Sequence, residues 1–317
     1  MIPTRDSMIS RLRLKHFRLL VAIDEEKSLL RAADAISITQ PGASKLLRDI
    51  EEAFDENLFS RSPHGLVPNE SGLCAIRYAQ LILSDLDHLR HELGNIKNDY
   101  GSFLSVGMTM GATPVMCDAL IRLLSEHPES KFQILEGTSF QLLKWLEEGR
   151  IELAICRTNV SPRPETYETS RLNHEEVIVV ANAGHAMAGR ANIPLTDMLK
   201  DRWLVFAPGT PLRSFFERTF RNAGENLPAQ IIETTSILVI QQFLRADPRC
   251  CAIIPKSVSP NVLCDDRIVE LDVAMERLDL PNLIVQLAGR GLSAPAQQLK
   301  HYLEAGAAEL PELLQGS

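Results

Sequence analysis

The spacing of hydrophobic residues predicts three helices in the first sixty residues of the chain. Helices over 13–26 and 29–37 precede a third helix that opens at Thr39. The third helix carries one apolar stripe, formed by Ala43, Leu46, Leu47, Ile50 and Phe54. Ser28 is placed to cap the second helix by accepting from its free amides. A short helix, a tight turn over 36–39 and a longer helix form the helix-turn-helix pattern.

Two further elements are predicted before residue 100. Short extended segments on either side of a Pro-Gly turn predict a hairpin, or wing, over 58–72, which carries Arg61 and His64. Residues 71–99 contain no proline and repeat hydrophobic residues at three- and four-residue steps, which predicts one long helix. This helix either mediates dimerisation, which its strongly polar remaining positions favour, or belongs to the core of the first domain.

From residue 102 onward, hydrophobic strands alternate with helices. Strands are predicted around 103–109, 131–137 and 151–157, and a second set begins at 175. This alternation is typical of a parallel α/β sheet. We expect two α/β lobes, between which the chain crosses near residue 173 and again near residue 274.

Composition and charge limit the possible functions. The chain has 317 residues, of which 45% are hydrophobic and 23% charged, the balance of a globular protein. Its net charge is −8, and the first seventy residues hold ten basic and eleven acidic side chains, so a DNA-binding surface has to arise from local arrangement. No apolar run approaches the roughly 20 residues of a membrane span. The apolar segment 19–23 is followed at once by acidic residues, so we expect no signal peptide and a cytoplasmic protein.

The outer face of the third helix carries the chemistry of base recognition. Its polar residues are Gln40, Ser44, Lys45 and Arg48, with Pro41 beside them, and it has no acid. The first residues of such a helix meet base edges in the major groove, where Gln pairs with adenine, Lys reaches guanine and Pro packs on a thymine methyl. A carboxylate there would be repelled by DNA. The face is therefore predicted to bind double-stranded DNA, and an ordinary solvated helix face is the alternative.

Several stretches of the chain match a known family. They are "SLLRAADAISITQPGASKLL" at 28–47, "IEEAF" at 50–54, "LFSR" at 58–61, "GRIELAI" at 149–155 and "PGTPLR" at 208–213. Together they resemble the LysR-type transcriptional regulators. The resemblance implies homotetramers, as dimers of dimers, that bind near promoters and hold a small molecule between two effector lobes. It implies base contacts by Gln40, Pro41, Ser44 and Lys45, phosphate contacts by Ser28, Arg31, Thr39 and Arg48, and wing contacts by Arg61 and His64.

The predicted fold class is α+β, with an N-terminal winged helix-turn-helix, a long linker helix and a C-terminal two-lobed α/β effector domain like that of periplasmic binding proteins. The DNA-binding domain is expected over 12–69, with its helix-turn-helix motif at 28–47. The linker or dimerisation helix is expected over 70–100 and the effector domain over 101–317. Within the effector domain, lobe I is expected at about 101–173 and 275–310, and lobe II at about 174–274.

Loops at the carboxyl ends of the predicted strands should line a cleft between the lobes. The candidate effector-binding residues in these loops are Thr109, Gly111, Thr138, Ser139, Arg157, Gly209, Thr210, Arg213, Thr235 and Ser236. Three of the clusters precede a helix and can hold an anion, and the two arginines can bind a carboxylate or phosphate. The alternative for the Thr, Ser and Gly residues is that they are helix N-caps. We expect a small acid or a sugar derivative as the effector.

Other classes of function find little support in the sequence. The six cysteines form no CxxC pair and lie near no His cluster, so we expect neither zinc nor another cofactor. Buried reduced thiols are expected, and a redox-responsive regulator that uses cysteines is the alternative. No GxSxG, P-loop, HExxH or GxGxxG motif is present, so we predict no enzyme and no catalytic residues. A solute-binding transport protein would fit only the second half of the chain.

Overall fold

The chain folds into two units, and the computed structural model describes residues 3–62, 65–98, 103–275 and 280–309. The first unit holds Met1–Phe103 together with Glu129–Lys131 and Lys144–Ile151, and the second holds the rest. The helices and strands before residue 100 are α1 (Arg5–Arg11), α2 (Leu14–Glu26), α3 (Leu29–Ala35), α4 (Gln40–Phe54), β1 (Phe59–Ser62), β2 (Gly65–Pro68) and α5 (Glu70–Asn98).

The apolar stripe of α4 builds the core of the first unit. Ala43, Leu46 and Ile50 are buried against the inner faces of α2 and α3 and the first turns of α5. Burial of each large aliphatic side chain contributes about 1.5–3 kcal/mol, enough to hold three short helices that would not be stable alone. The three predicted helices are therefore confirmed. The preceding helix α1 was not predicted, and it buries no residue.

The wing is a two-stranded antiparallel hairpin in which Phe59 pairs with Pro68 and Ser62 with Gly65. Gly65 has a φ of 109°, and a Cβ there would lie 2.0 Å from the carbonyl oxygen of Lys27, so only glycine fits. Next to it, the Leu66 amide donates to the same Lys27 oxygen at 3.0 Å, which ties the wing to the end of α2. The predicted hairpin is confirmed.

The second unit contains two five-stranded sheets. Its elements are β3 (Phe103–Met108), α6 (Thr113–Glu126), β4 (Lys131–Glu136), α7 (Ser139–Glu147), β5 (Leu153–Cys156), β6 (Tyr167–Glu175), β7 (Val177–Asn182), β8 (Arg202–Val205), α8 (Pro211–Asn222), β9 (Gln230–Glu233), α9 (Ile237–Ala246), β10 (Cys250–Pro255), α10 (Ser259–Leu263), β11 (Ile268–Leu271), β12 (Leu280–Leu287) and α11 (Ala294–Glu309). The first residues of β3 and β4 and the last turn of α7 belong to the first unit. The strand orders are β4-β3-β5-β12-β6 and β11-β7-β10-β8-β9.

The sheets are mixed, so the expectation of parallel sheets is only partly correct. Strands β3 and β5 are parallel, as are β8 with β9 and β8 with β10. Strand β12 runs antiparallel to β5 and β6, and β7 runs antiparallel to β10 and β11. The chain passes between the two sheets from β6 to β7 and from β11 to β12. Each of these four strands pairs antiparallel with its neighbours, and antiparallel pairing needs no helical crossover.

The chain leaves the first sheet at the end of β6 and enters the second at the start of β7, with only Glu176 between them. It returns to the first sheet between β11 and β12. The sequence places these passages near 173 and 274. Within the described part of the chain, no helix combines the length and the hydrophobicity needed to span a membrane.

Candidate functional site

The N-terminal half of α4 presents a polar, acid-free surface. Thr39 caps the helix, because its hydroxyl accepts from the Gly42 amide at 3.3 Å, and Pro41 sits in the first turn, where its missing amide costs nothing. The exposed residues of this surface are Gln40, Pro41, Lys45 and Arg48, with Ser44 half-buried beside them. The Gln40 amide nitrogen donates to the Ser44 hydroxyl at 3.3 Å, which links the two residues across one helical turn.

The residues predicted to flank this surface differ in their local contacts. Ser28 stands at the N-cap of α3, but its side chain makes no capping hydrogen bond, which corrects the expectation. Arg31 is exposed, and its guanidinium pairs with the Glu26 carboxylate at 3.2 Å and also donates to the Glu26 carbonyl. The backbone of Arg61 lies in β1, while its side chain, and all of His64, lie outside the described residues.

A cleft of about 280 Å³ opens in the second unit between the two sheets. Loops at the carboxyl ends of β3, β4 and β5 form one wall, and loops after β8, β9 and β10 form the other. Seven of the predicted effector residues line it, namely Thr109, Gly111, Thr138, Ser139, Arg157, Thr210 and Thr235. Parallel strands end at the same edge of their sheet, which is why residues far apart in sequence meet here.

The remaining three candidates, Gly209, Arg213 and Ser236, are not among the residues that line the cleft. The Arg213 guanidinium instead donates to Glu217 at 2.6 Å and to Glu233 at 2.7 Å. Ser236 caps α9 by accepting from the Val239 amide at 3.4 Å. The prediction that Arg213 faces the effector is corrected, because two carboxylates on α8 and β9 compete for it.

The hydroxyls of Thr138 and Thr210 line the cleft and also cap helices. Thr138 accepts from the Gln141 amide at 3.3 Å and Thr210 from the Arg213 amide at 3.2 Å. The N-cap alternative is thus the observed local role of both residues. A capping hydroxyl keeps its own hydrogen, and that of Thr210 is donated to the Ala207 carbonyl at 2.8 Å.

A buried ion pair lies at the base of the cleft. The terminal nitrogen Nη2 of Arg157 is 3.6 Å from Oε2 of Glu175, and the two residues are 8% and 4% exposed. Glu175 also accepts from the Ser257 hydroxyl at 3.0 Å and from the Asn282 amide at 3.2 Å. Burial lowers the pKa of Arg157, and the neighbouring Glu175 carboxylate opposes this shift.

Family models match both halves of the chain. A family model described as "Bacterial regulatory helix-turn-helix protein, lysR family" matches residues 14–73, and one described as "LysR substrate binding domain" matches residues 102–308. The chain belongs to the LysR family of transcriptional regulators. This family is defined by DNA-binding regulators with an effector domain, and its members are not usually enzymes.

Individual relatives of this LysR-family chain cover most of its length. The transcriptional regulator GbpR of Azospirillum brasilense is 33% identical over 240 residues, which are 75% of this chain and 70% of that protein. GbpR of Rhizobium radiobacter is 27% identical over 71% of this chain and 76% of its own. A mutant form of OxyR from Corynebacterium glutamicum has the same fold, with a TM-score of 0.55 at 20% identity over 94% of this chain and 92% of that one.

Sequence reasoning about this LysR-family member missed the acidic side of the cleft. Glu136, Gln141 and Glu175 line it, and none was a candidate. Glu175 stands in a His-Glu-Glu run at 174–176, and its two neighbours, His174 and Glu176, are exposed. One signal was available, since Glu136 ends a predicted strand at the edge where the other candidates were sought.

Three of the six cysteines of this regulator, Cys156, Cys250 and Cys251, are buried. Burial raises the pKa of Cys156 to about 12 and that of Cys250 to about 11, and it raises the pKa of Cys251 well above its usual value. Because the thiolate is the form that oxidises, these thiols are unreactive. Cys74 and Cys264 are exposed, and in the described part of the chain no cluster of His, Cys, Asp and Glu is arranged to hold a metal ion.

Proposed function

We propose that this LysR-family regulator reads promoter DNA through the exposed face of α4 and that a small molecule in the cleft controls its binding. The observation that carries the DNA half is the acid-free surface of Gln40, Pro41, Ser44 and Lys45 on a helix whose other side is buried. An α-helix fits the major groove, where amide and ammonium groups distinguish adenine and guanine.

Phosphate contacts would then surround the reading face. Arg48 is exposed one turn beyond Lys45, and Thr39 and Ser28 stand at the N-termini of α4 and α3, where backbone amides favour an anion. Arg31 would exchange its exposed contact with Glu26 for a phosphate at little cost, since exposed ion pairs contribute about 0–1 kcal/mol. Arg61 and His64 would belong to the wing contact.

The regulator is proposed to act as a homo-oligomer, a dimer of dimers, in the cytoplasm. Leu86, Leu89 and Leu93 of α5 are 39%, 50% and 48% exposed and follow one another at helical spacing. Such a stripe is suited to a second helix of the same kind. We assign DNA binding to residues 12–69, oligomerisation to 70–100 and effector binding to 101–317, with lobe I over about 101–173 and 275–310 and lobe II over about 174–274.

The effector is proposed to be a small acid or a sugar derivative. The cleft volume of about 280 Å³ lies at the lower end of ligand pockets, which measure roughly 300–1,000 Å³. Hydroxyl groups from Thr109, Thr138, Ser139 and Thr235 surround it, and these groups suit a polar ligand.

Fluorescence anisotropy with promoter fragments recovered from cells tests the DNA half of the proposal. Arg48→Ala should weaken binding to all sequences alike and lower the slope of log affinity against log salt by about one, as expected for one lost phosphate contact. Arg190→Ala removes an exposed arginine from the other unit and should leave the slope unchanged. An unchanged slope in Arg48→Ala would contradict the assignment.

The same assay tests the effector half. A protein-free small-molecule extract of the cells should change the promoter affinity of the wild type. Thr235→Trp places a bulky ring at the exposed mouth of the cleft and should abolish that change, whereas Thr196→Trp, exposed and outside the cleft, should not. An equal response of both variants would exclude the cleft as the effector site.

A further inference from the structure

We infer that the effector is a neutral polyhydroxylated molecule of the sugar type and not a carboxylate. This inference rests on the proposed function of the cleft and selects between the two classes of effector considered for it. It is carried by the charges and the free hydrogen-bonding atoms of the lining residues.

The charged residues that line the cleft are two acids and one base. Glu136, Arg157 and Glu175 give a formal charge of −1, and the positive charge of Arg157 is already matched by Glu175 at 3.6 Å. A carboxylate ligand would therefore add a third negative charge next to a single arginine. Like charges a few ångströms apart in a partly desolvated site repel each other strongly, so the cleft disfavours an anion.

Glu175 is fixed in this position by its surroundings. Its carboxylate accepts from Ser257 at 3.0 Å and from Asn282 at 3.2 Å. The Ser257 hydroxyl also reaches the Gly111 carbonyl at 2.7 Å, and a Cβ at Gly111 would lie only 2.2 Å from Oε2 of Glu175, so the glycine makes room for the carboxylate. A ligand cannot easily push Glu175 aside to obtain Arg157 for itself, because these contacts stabilise the charge where it is.

Two buried polar atoms of the cleft residues lack partners in the described part of the chain. They are Nε of Arg157, which is a donor, and the hydroxyl oxygen of Thr109, which both donates and accepts. Buried polar groups are normally paired, so each is suited to a ligand atom. A neutral hydroxyl accepts from Arg157 and donates to Glu175 or Glu136, whereas a carboxylate group only accepts.

The remaining lining is apolar and fits the carbon skeleton of a sugar. Met110, Phe206, Leu212 and Pro255 line the cleft beside the polar groups. The hydroxyls at the edge of a sugar ring can bind the polar groups of the cleft, and the C–H groups on its face can pack against the apolar side chains. Small-molecule pockets generally combine these two kinds of lining.

Isothermal titration calorimetry with the full chain tests this inference. Aldohexoses are each titrated against the matching hexuronate, in which the C6 hydroxymethyl group is oxidised to a carboxylate while the ring and the other hydroxyls are kept. At least one aldohexose should bind, and its hexuronate should bind about tenfold more weakly or worse, the size expected for one repulsive charge at this depth. A hexuronate that binds more tightly than its aldohexose overturns the inference, and so does the failure of every aldohexose to bind at millimolar concentration.

Two variants show whether charge is the cause. Glu136→Gln removes one acid at the exposed rim of the cleft and should raise the hexuronate affinity several-fold while changing the aldohexose affinity little. Glu270→Gln removes an equally exposed acid on β11, outside the cleft, and should change neither. An unchanged ratio in Glu136→Gln overturns the electrostatic explanation. If no aldohexose binds while the extract response is still lost in Thr235→Trp, the ligand class fails and the proposed function stands.

Discussion

Glu175 is a buried carboxylate in the cleft that could not be identified from the sequence. The residues that bond to it, Ser257 and Asn282, lie 82 and 107 positions away in the sequence. A buried carboxylate is tolerated only when such partners neutralise or solvate it. No local sequence pattern shows partners at that distance, so the sequence around 175 does not identify Glu175 as a buried residue.

Gly111 gives a direct test of this arrangement. Gly111→Ala would place a methyl group 2.2 Å from the Glu175 carboxylate and displace that side chain from its observed position. We expect the small-molecule response of promoter binding to be lost, with a stability cost of about 1–3 kcal/mol from overpacking. Anisotropy with the extract measures the response, and thermal unfolding measures the stability.

Gly291→Ala is the matched control, because a Cβ there has no atom within 4 Å and its φ lies outside the left-handed region. It should keep both the response and the stability of the wild type. A Gly111→Ala protein that responds normally would show that the position of Glu175 does not matter for the effector.

Residue-level predictions agree with the structure where the residues concerned are close in sequence. The start of α4 directly after Thr39 and the acid-free face of this helix both follow from residues within two helical turns of one another. The expectation for Arg213 was wrong for the opposite reason: Glu233, one of its two partners, lies on strand β9, 20 positions along the chain from this helical arginine. The other partner, Glu217, stands four positions along the same helix, a spacing that already favours an ion pair and was not used.

At the scale of elements, hydrophobic periodicity located most helices and strands. It missed α1, which buries no residue, and β6, whose sequence is largely polar. In β6 only Tyr167, Leu172 and Glu175 are buried, so neither alternation nor an apolar run marks it as a strand. Pairing with β12 along its length holds this strand in the sheet, and such tertiary pairing cannot be seen in a local pattern.

The long helix α5 has two different halves. Ala75, Ile76 and Ala79 are buried in the core of the first unit, whereas the leucines from residue 86 onward are exposed. The two alternatives drawn from the sequence, a core helix and a dimerisation helix, thus apply to different parts of it. The exposed part is the one assigned here to oligomerisation.

Leu86→Glu tests that assignment. If the exposed stripe meets a second copy, a buried carboxylate in place of leucine should weaken association by on the order of tenfold or more per subunit. Leu227→Glu makes the same change at a leucine of equal exposure, 39%, in a loop, and should have no effect. Sedimentation velocity measures both, and unchanged association in Leu86→Glu would exclude this part of α5 from the interface.

For the molecule as a whole, the net charge does not indicate DNA binding. A net charge of −8 gives no sign of a DNA-binding protein, because the relevant surface is one face of one helix. The two-sheet architecture was predictable from the alternation of strands and helices. Its antiparallel strands were not, since their direction depends on which strands pair within each sheet, and that pairing is tertiary.

We propose that α4 reads base sequence with Gln40, Pro41, Ser44 and Lys45. Selection of bound duplexes from a random pool, followed by sequencing, tests this proposal for the wild type and Gln40→Ala. The wild type should enrich one motif, and Gln40→Ala should lose preference at a single position of each half-site, at a cost of about 1–3 kcal/mol in discrimination. Enrichment of an identical motif with identical preferences by both proteins would contradict it.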